Sequence, residues 1–309
     1  MKKQAKKKIL IGPSSFAALD SSPLDLLFKN GFEVIDNPYK RKLTKGELFE
    51  LLSDDVIGLV AGLEPLDREV LKKSSLEVIS RVGSGLSNID LGAAEDLGIK
   101  VCYTPYGPTT AVAELTVGVI LSMIRMVPRM DRALHQGKWQ KMIGSQLKGK
   151  TVLIIGLGRI GCKVAELLSP FKVNVIAVDP YLDSCPVDGK LMSLADALPL
   201  ADIITIHSSG EDCLIGDKEF LLMKKGVYLV NAARGGLVSE QALIRALEEE
   251  RVAGAWLDSF DQEPYQGPLV DFEQVVLTPH IGSYTFECRQ QMESEAVENL
   301  IKAFQAGQE

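Results

Sequence analysis

Long apolar runs are missing from this chain. A membrane-spanning helix needs about 18 consecutive apolar residues. The nearest approach, AVAELTVGVILSMIRMV at 111–127, carries Glu114 and Arg125 and reads as a buried helix. Cysteine is sparse: the five (Cys102, Cys162, Cys185, Cys213 and Cys288) are odd in number and nowhere spaced C-x-x-C. That excludes a disulfide framework and a zinc site of the usual spacing, and predicts no metal, reduced thiols and a cytoplasmic protein. Positive charge is short as well. With 34 Lys and Arg against 41 Asp and Glu the net charge is −7, which argues against a nucleic-acid surface. The one basic cluster is MKKQAKKKIL at the start, and the apolar ILIG behind it ends at Pro13. That is too short for the core of a targeting segment, so the lysines read as a solvated tail with no membrane role. No repeat and no other low-complexity tract is present.

What is there has the balance of a globular α/β protein. The 309 residues, 46% hydrophobic and 24% charged, suffice for two domains. Short apolar runs (KKILIG, FEVIDN, VIGLVAG, LEVISRVG, IKVCYTP) alternate with helix-length segments such as SPLDLLFKNG, TKGELFELLSD, LDREVLKKS and DLGAAEDLG. This predicts a parallel sheet covered by helices. From residue 150 a second run begins, with six strand candidates: KTVLIIGLGRIG, VNVIAVDP, ADIITIHS, GVYLVNAARG, RVAGAWLDSF and VVLTPHIG. Six parallel strands fit the doubly wound dinucleotide fold. ESEAVENLIKAFQAG near the end has helical periodicity and is free to pack back on the first half. The expected division is residues 1–100 plus 286–309 as a substrate domain, with 101–285 inserted as a nucleotide domain.

The glycine loop is the firmest motif. VLIIGLGRIG places Gly156, Gly158 and Gly161 in G-x-G-x-x-G spacing between an apolar strand and a helix, and the next strand ends on Asp179. Gly156 permits the tight turn, Gly158 the approach of a pyrophosphate, and Gly161 close helix packing, with the phosphates at the positive helix end. Asp179 suits the ribose hydroxyls and repels a 2′-phosphate, while Pro180 and Tyr181 supply no cation. NAD is favoured over NADP.

Only three histidines occur. One, His280, follows the apolar run and Thr-Pro step of VVLTPHIG; on that stretch alone a core histidine held by a backbone bond is the plain reading. Yet VNAARGG ends in Arg234, WLDSFDQEP reaches Glu263, and both follow strands as His280 does. In a parallel sheet all three emerge at the carboxyl edge, where doubly wound folds bind ligands. Together they match the needs of hydride transfer to a 2-keto acid. A proton donor must reach the ketone oxygen, a carboxylate stabilises the imidazolium, and a guanidinium clasps the substrate carboxylate in two bonds.

In these motifs the chain resembles the D-isomer-specific 2-hydroxyacid dehydrogenases, which include D-3-phosphoglycerate dehydrogenases and glyoxylate/hydroxypyruvate reductases. The resemblance spans nearly the whole chain through RVGSGLSNID, GLGRIG with Asp179, VNAARGGLV, DSFDQEP and LTPHIGSYT. It implies two Rossmann-like domains closing over the substrate: a flavodoxin-like substrate domain with an inserted doubly wound NAD-binding domain. It also implies a catalytic trio of Arg234, Glu263 and His280, and a loop of Gly83, Ser84 and Gly85 whose N–H groups hold the substrate carboxylate. Further cofactor contacts are implied at Arg159, Ile160, Ser208, Ala232 and Ala233, with Asp258 at the carboxamide and Gly282 beside the histidine. A homodimer is implied through TTAVAELTVGVILSMIR and HQGKWQK, with His207 and Trp139 structural.

Three departures bear on the substrate. Ser87 stands where many members have an acid, and the loop HSSGEDCLIG is shorter than the common form. Phosphoglycerate dehydrogenases often place an arginine in the loop after the third strand, but GLVAGLEPLD offers Ala61 and Gly62, with Glu64 nearby. A carboxylate facing a phosphate dianion is unfavourable, although Arg81, or Arg132 of a dimer partner, could supply charge. No C-terminal regulatory domain of the kind in longer phosphoglycerate dehydrogenases follows the last helix, so end-product control through one is not expected. Formate dehydrogenase shares the fold but pairs its histidine with glutamine, against Glu263. The alternative from another class is an NAD(H)-sensing binding protein, corepressor-like, which can keep the same trio.

Overall fold

The computed structural model describes residues 7–210 and 212–306, which form two units. One holds the described residues up to Pro108 and those from Tyr284 onward; the other is Thr109–Ser283. Most of the basic N-terminal tail lies outside the described residues.

In the first unit strands and helices alternate: β1 (Lys8–Ile11), α1 (Ser22–Lys29), β2 (Glu33–Ile35), α2 (Lys45–Leu51), β3 (Val56–Ala61), α3 (Arg68–Lys73), β4 (Val78–Arg81), α4 (Leu91–Asp96) and β5 (Lys100–Tyr103). The five strands pair in parallel in the order β2-β1-β3-β4-β5, the flavodoxin-like arrangement. Local chemistry starts the helices where the pattern places them. Thr44 closes a capping box with Glu47, and the carboxylates of Asp67 and Asp90 accept first-turn N–H groups of α3 and α4. Because β5 pairs with β4, the units part after it, at Pro108/Thr109, rather than at the expected 100/101.

The second unit opens with α5 (Pro108–Ile124) and α6 (Val127–His135), which meet at a 66° bend. Then come β6 (Thr151–Ile155), α7 (Arg159–Leu168), β7 (Asn174–Val178), β8 (Lys190–Leu191), α8 (Leu194–Ala197), β9 (Ile203–Ile206), α9 (Asp217–Leu222), β10 (Val227–Asn231), α10 (Glu240–Glu248), β11 (Val252–Leu257) and β12 (Val275–Leu277). The parallel sheet runs β12-β11-β10-β9-β6-β7-β8, the doubly wound dinucleotide order with a seventh strand at the far edge. Six strands were expected; β8, at two residues, is too short to show an alternation. Period-two geometry explains why the strands read as continuous apolar runs. Val152 and Ile154 of β6 pack with α5 and α7, while Leu153 and Ile155 pack with α9 and α10 on the opposite face. A sheet buried on both faces needs apolar residues at every position.

The last helix, α11 (Phe286–Gln305), groups with the first unit. Thr285 Oγ1 accepts the Cys288 N–H at its start, and the helix packs on α1, β3, β4 and β5. Near that start the buried Arg289 and Glu293 pair with each other, and they also hold Ser15 Oγ and Ala17 N–H, some 270 residues earlier. No single helix among the described residues is long and apolar enough to cross a membrane.

Candidate active site

The glycine loop is built by close approach. Gly156 has φ +92°, and a Cβ there would lie 2.8 Å from the His207 carbonyl carbon and the Ser208 nitrogen. A Cβ on Gly161 would lie 2.0 Å from Gly156 O, so α7 sits directly against the turn. Gly158, the N-cap of α7, has nothing within 4 Å of its Cβ position. This leaves an open approach to the first N–H groups of a ten-residue helix, the environment a pyrophosphate requires. Arg159 and Ile160 begin α7, and Ser208 follows β9 beside Gly156. Asp179 follows β7; its Oδ2 accepts the Leu157 N–H at 2.9 Å and its Oδ1 the Tyr181 N–H at 3.0 Å. The carboxylate thus braces the glycine loop, and these residues fit NAD. Asp179→Ala should raise the KM for NADH and shrink the preference for NADH over NADPH by about tenfold or more, since the 2′-phosphate loses its opposing charge. Steady-state kinetics with both cofactors checks this, and an unchanged preference contradicts it.

His207, expected to be structural, follows β9 with its Nε2 2.8 Å from Thr205 Oγ1 and its Nδ1 buried without a hydrogen-bond partner among the described residues. Burial pushes its pKa down from 6.5 to about 3. The folded value lies below the unfolded one, so its contribution to stability is present above pH 6.5 and is lost as pH falls toward 3. His207→Gln should flatten the fall in Tm across that interval, measured by calorimetry at stepped pH; parallel curves for the two proteins contradict the assignment.

At the carboxyl edge β10, β11 and β12 are consecutive neighbours in the sheet. Each ends in a turn held by a buried polar side chain. Asn231, fully buried at the end of β10, accepts the Ala233 N–H and donates to Arg234 O at 2.7 Å, shaping the turn through Ala232 and Ala233. Arg234 Nη1 donates to Ala233 O at 2.8 Å, holding the guanidinium near its own backbone. Gly235 follows because a Cβ there would stand 2.2 Å from the Phe260 carbonyl carbon, so the arginine turn lies directly against the loop that bears Glu263. That loop is steadied by Phe260 and Tyr265, stacked at 4.3 Å, and by the Phe260 N–H donating to Glu263 Oε1.

His280 sits in the left-handed region, φ +54°. Its Nδ1 lies 3.0 and 3.1 Å from the two oxygens of Glu263, each side chain about one-third exposed. The pairing directs Nε2 away from the carboxylate.

Asp258, expected at the carboxamide, holds the loop that bears His280. Only 2% exposed, it accepts Thr278 Oγ1–H at 2.5 Å and Ile281 N–H at 2.9 Å on Oδ1, and Gly282 N–H at 2.8 Å on Oδ2. Thr278 is in turn held by the indole N–H of the buried Trp256. Gly282 keeps this contact close, since a Cβ would stand 3.0 Å from Asp258 Oδ2 and oblige the carboxylate to give by a few tenths of an ångström. Asn231, Gly235, Trp256 and Thr278 are the positioning residues that sequence reasoning missed. The only local sign was a polar residue interrupting or ending an apolar strand.

In the first unit Gly83 has φ +134°, and its N–H donates to Thr104 Oγ1 at 2.7 Å. One of the three amides expected for a substrate carboxylate is therefore taken up inside the unit, leaving those of Ser84 and Gly85. Ser84 and Ser87 are exposed. Glu64, expected to face a ligand, is 1% exposed instead and accepts the Gly62 N–H. Trp139, expected to be structural, is 82% exposed in the single chain, and Ile143 is 97% exposed.

The family model for the NAD-binding domain of D-isomer-specific 2-hydroxyacid dehydrogenases matches residues 117–282. The chain is 38% identical over 293 residues to a D-3-phosphoglycerate dehydrogenase of Sus scrofa, covering 92% of this chain and 54% of that protein. It is 38% identical over 274 residues to a glyoxylate reductase of Thermofilum pendens, covering 84% and 81%. The crystal structure of the TT0316 protein of Thermus thermophilus superimposes with a TM-score of 0.88 at 32% identity over 97% of both chains. The chain belongs to the D-isomer-specific 2-hydroxyacid dehydrogenase family, and its second unit carries that family's NAD-binding domain. It spans about half the length of the phosphoglycerate dehydrogenases it matches. These named relatives are dehydrogenases and reductases, which does not favour the corepressor-like alternative.

Proposed function

We propose that the protein is an NAD-dependent dehydrogenase interconverting a small D-2-hydroxy acid and its 2-keto acid. The observation that carries this is the His280 imidazole on both oxygens of Glu263, two strands beyond the Arg234 turn, at the carboxyl edge of the sheet that bears the glycine loop. NAD carries the hydride when bound. His280, held through Nδ1 by Glu263, gives a proton from Nε2 to the ketone oxygen as C2 is reduced, and takes it back in the reverse direction. The Glu263 carboxylate stabilises the imidazolium that exists before the proton is given and after it is taken back. Arg234 clasps the substrate carboxylate in two bonds.

The candidate acids are of the phosphoglycerate and glyoxylate types, for which the relatives are named, and of the hydroxypyruvate type. A homodimer through the segment containing Trp139 and Ile143 would bury two large side chains that are otherwise in water. We place the protein in the cytoplasm. The test is NADH oxidation with glyoxylate, hydroxypyruvate, pyruvate and 3-phosphohydroxypyruvate in parallel. Turnover with at least one supports the reading; tight NADH binding with no turnover on any favours a sensing role.

A further inference from the structure

In an open doubly wound sheet, ligands settle outside the carboxyl ends of the strands where the winding reverses. In the first unit that point lies between β1 and β3, which are neighbours in the order β2-β1-β3-β4-β5. Gly12 follows β1 and Gly62 follows β3. The crevice between them is occupied by the Glu64 carboxylate. A Cβ on Gly12 would lie 2.0 Å from Glu64 Oε1, and one on Gly62 2.9 Å from Oε2. The Gly62 N–H, which an open crevice would offer to an incoming anion, instead donates to Oε1 at 2.9 Å.

The surrounding loops are fastened. Asn37 Nδ2 donates to Gly12 O at 2.6 Å, and Asn88 Nδ2 donates to Gly62 O at 3.2 Å and to Glu64 O at 2.7 Å. The next strand along, β4, leads into the Gly83–Gly85 loop, under which the Arg81 guanidinium lies 2.8 Å from the Gly83 Cβ position. Burial raises the Glu64 pKa, and the positive charges of Arg81 and Lys42 oppose it without prevailing.

We propose that Glu64 determines specificity by closing the switch-point crevice of the first unit to a phosphorylated substituent. The substrate class is then an unphosphorylated 2-keto acid with a small neutral group on the carbon beyond the ketone. This rests on the dehydrogenase reading. With the substrate carboxylate at the end of β4, the rest of a three-carbon acid extends toward β3 and β1, where a dianion would meet a buried carboxylate and find no free Gly62 amide. A hydroxyl or hydrogen meets neither obstacle.

The test compares kcat/KM for hydroxypyruvate and 3-phosphohydroxypyruvate in the wild type and in Glu64→Gln. The wild type should favour the unphosphorylated acid, and the variant should move the ratio toward the phosphorylated one by about tenfold or more, through its KM, as expected for exchanging an acidic group for a neutral amide that can donate to the phosphate. A second measurement needs no variant: D-glycerate should inhibit the wild type competitively at lower concentration than D-3-phosphoglycerate. Wild-type preference for the phosphorylated acid, the reverse order of inhibition, or an unchanged ratio in a variant of unchanged Tm overturns the proposal while leaving the dehydrogenase reading standing. A wild type that oxidises NADH with neither these nor other 2-keto acids overturns both.

Discussion

Replacing His280 with alanine should lower turnover by about 10²–10⁴-fold, the usual range for a lost general acid, and leave NADH affinity nearly unchanged. The imidazole is the proton donor of the proposed step and no part of the glycine loop. Asparagine is the useful second variant at this position, because it tolerates the φ of +54° better than alanine. If His280 served only the backbone turn, asparagine would restore activity. The expected result is that both variants fail alike on every 2-keto acid, while fluorescence titration of NADH follows the wild type. Equal loss of binding and turnover would remove His280 from the chemistry.

The second large effect lies one step back from the substrate. Asp258→Asn should lower kcat by about 10²-fold, the scale of an ångström-sized misplacement of a reacting group. The native carboxylate receives three donors, two of them the N–H groups of Ile281 and Gly282 just beyond His280. An amide of the same shape accepts through one oxygen only and turns its NH₂ toward a donor. The loop bearing the imidazole must move, or a buried N–H goes unpaired at a cost of about 1–3 kcal/mol. That cost should show as a fall in Tm of about 2–10 °C. Wild-type kcat together with wild-type Tm would show that the three bonds do not position His280.

These residues also mark how far the amino-acid order could be read. Glycine spacing, the acid ending the next strand, and polar residues just past apolar runs are local patterns, and in a parallel sheet locality suffices to bring strand ends to one edge. Gly156, Asp179, Arg234, Glu263 and His280 were visible for that reason. The relay from Trp256 through Thr278 to Asp258 was not. It joins residues about twenty positions apart by bonds that exist only once β11 and β12 pair. The burial of Glu64 was hidden for a related cause. A glutamate in a loop is ordinarily solvated, and only the approach of Gly12 from the neighbouring strand end turns this one inward. The two-residue β8 carries too little sequence for any periodicity, and β5 is assigned to its unit by pairing with β4 rather than by composition.

The most direct measurement is the fate of the hydride. A 2-keto acid that the enzyme turns over would be reduced with NADH deuterated at the transferring C4 position, and the product examined by NMR and on a chiral column. The expected product is the D-2-hydroxy acid carrying one deuterium at C2 for each NADH consumed. A product without deuterium, or of the L configuration, would contradict direct D-specific hydride transfer beside the His280–Glu263 pair.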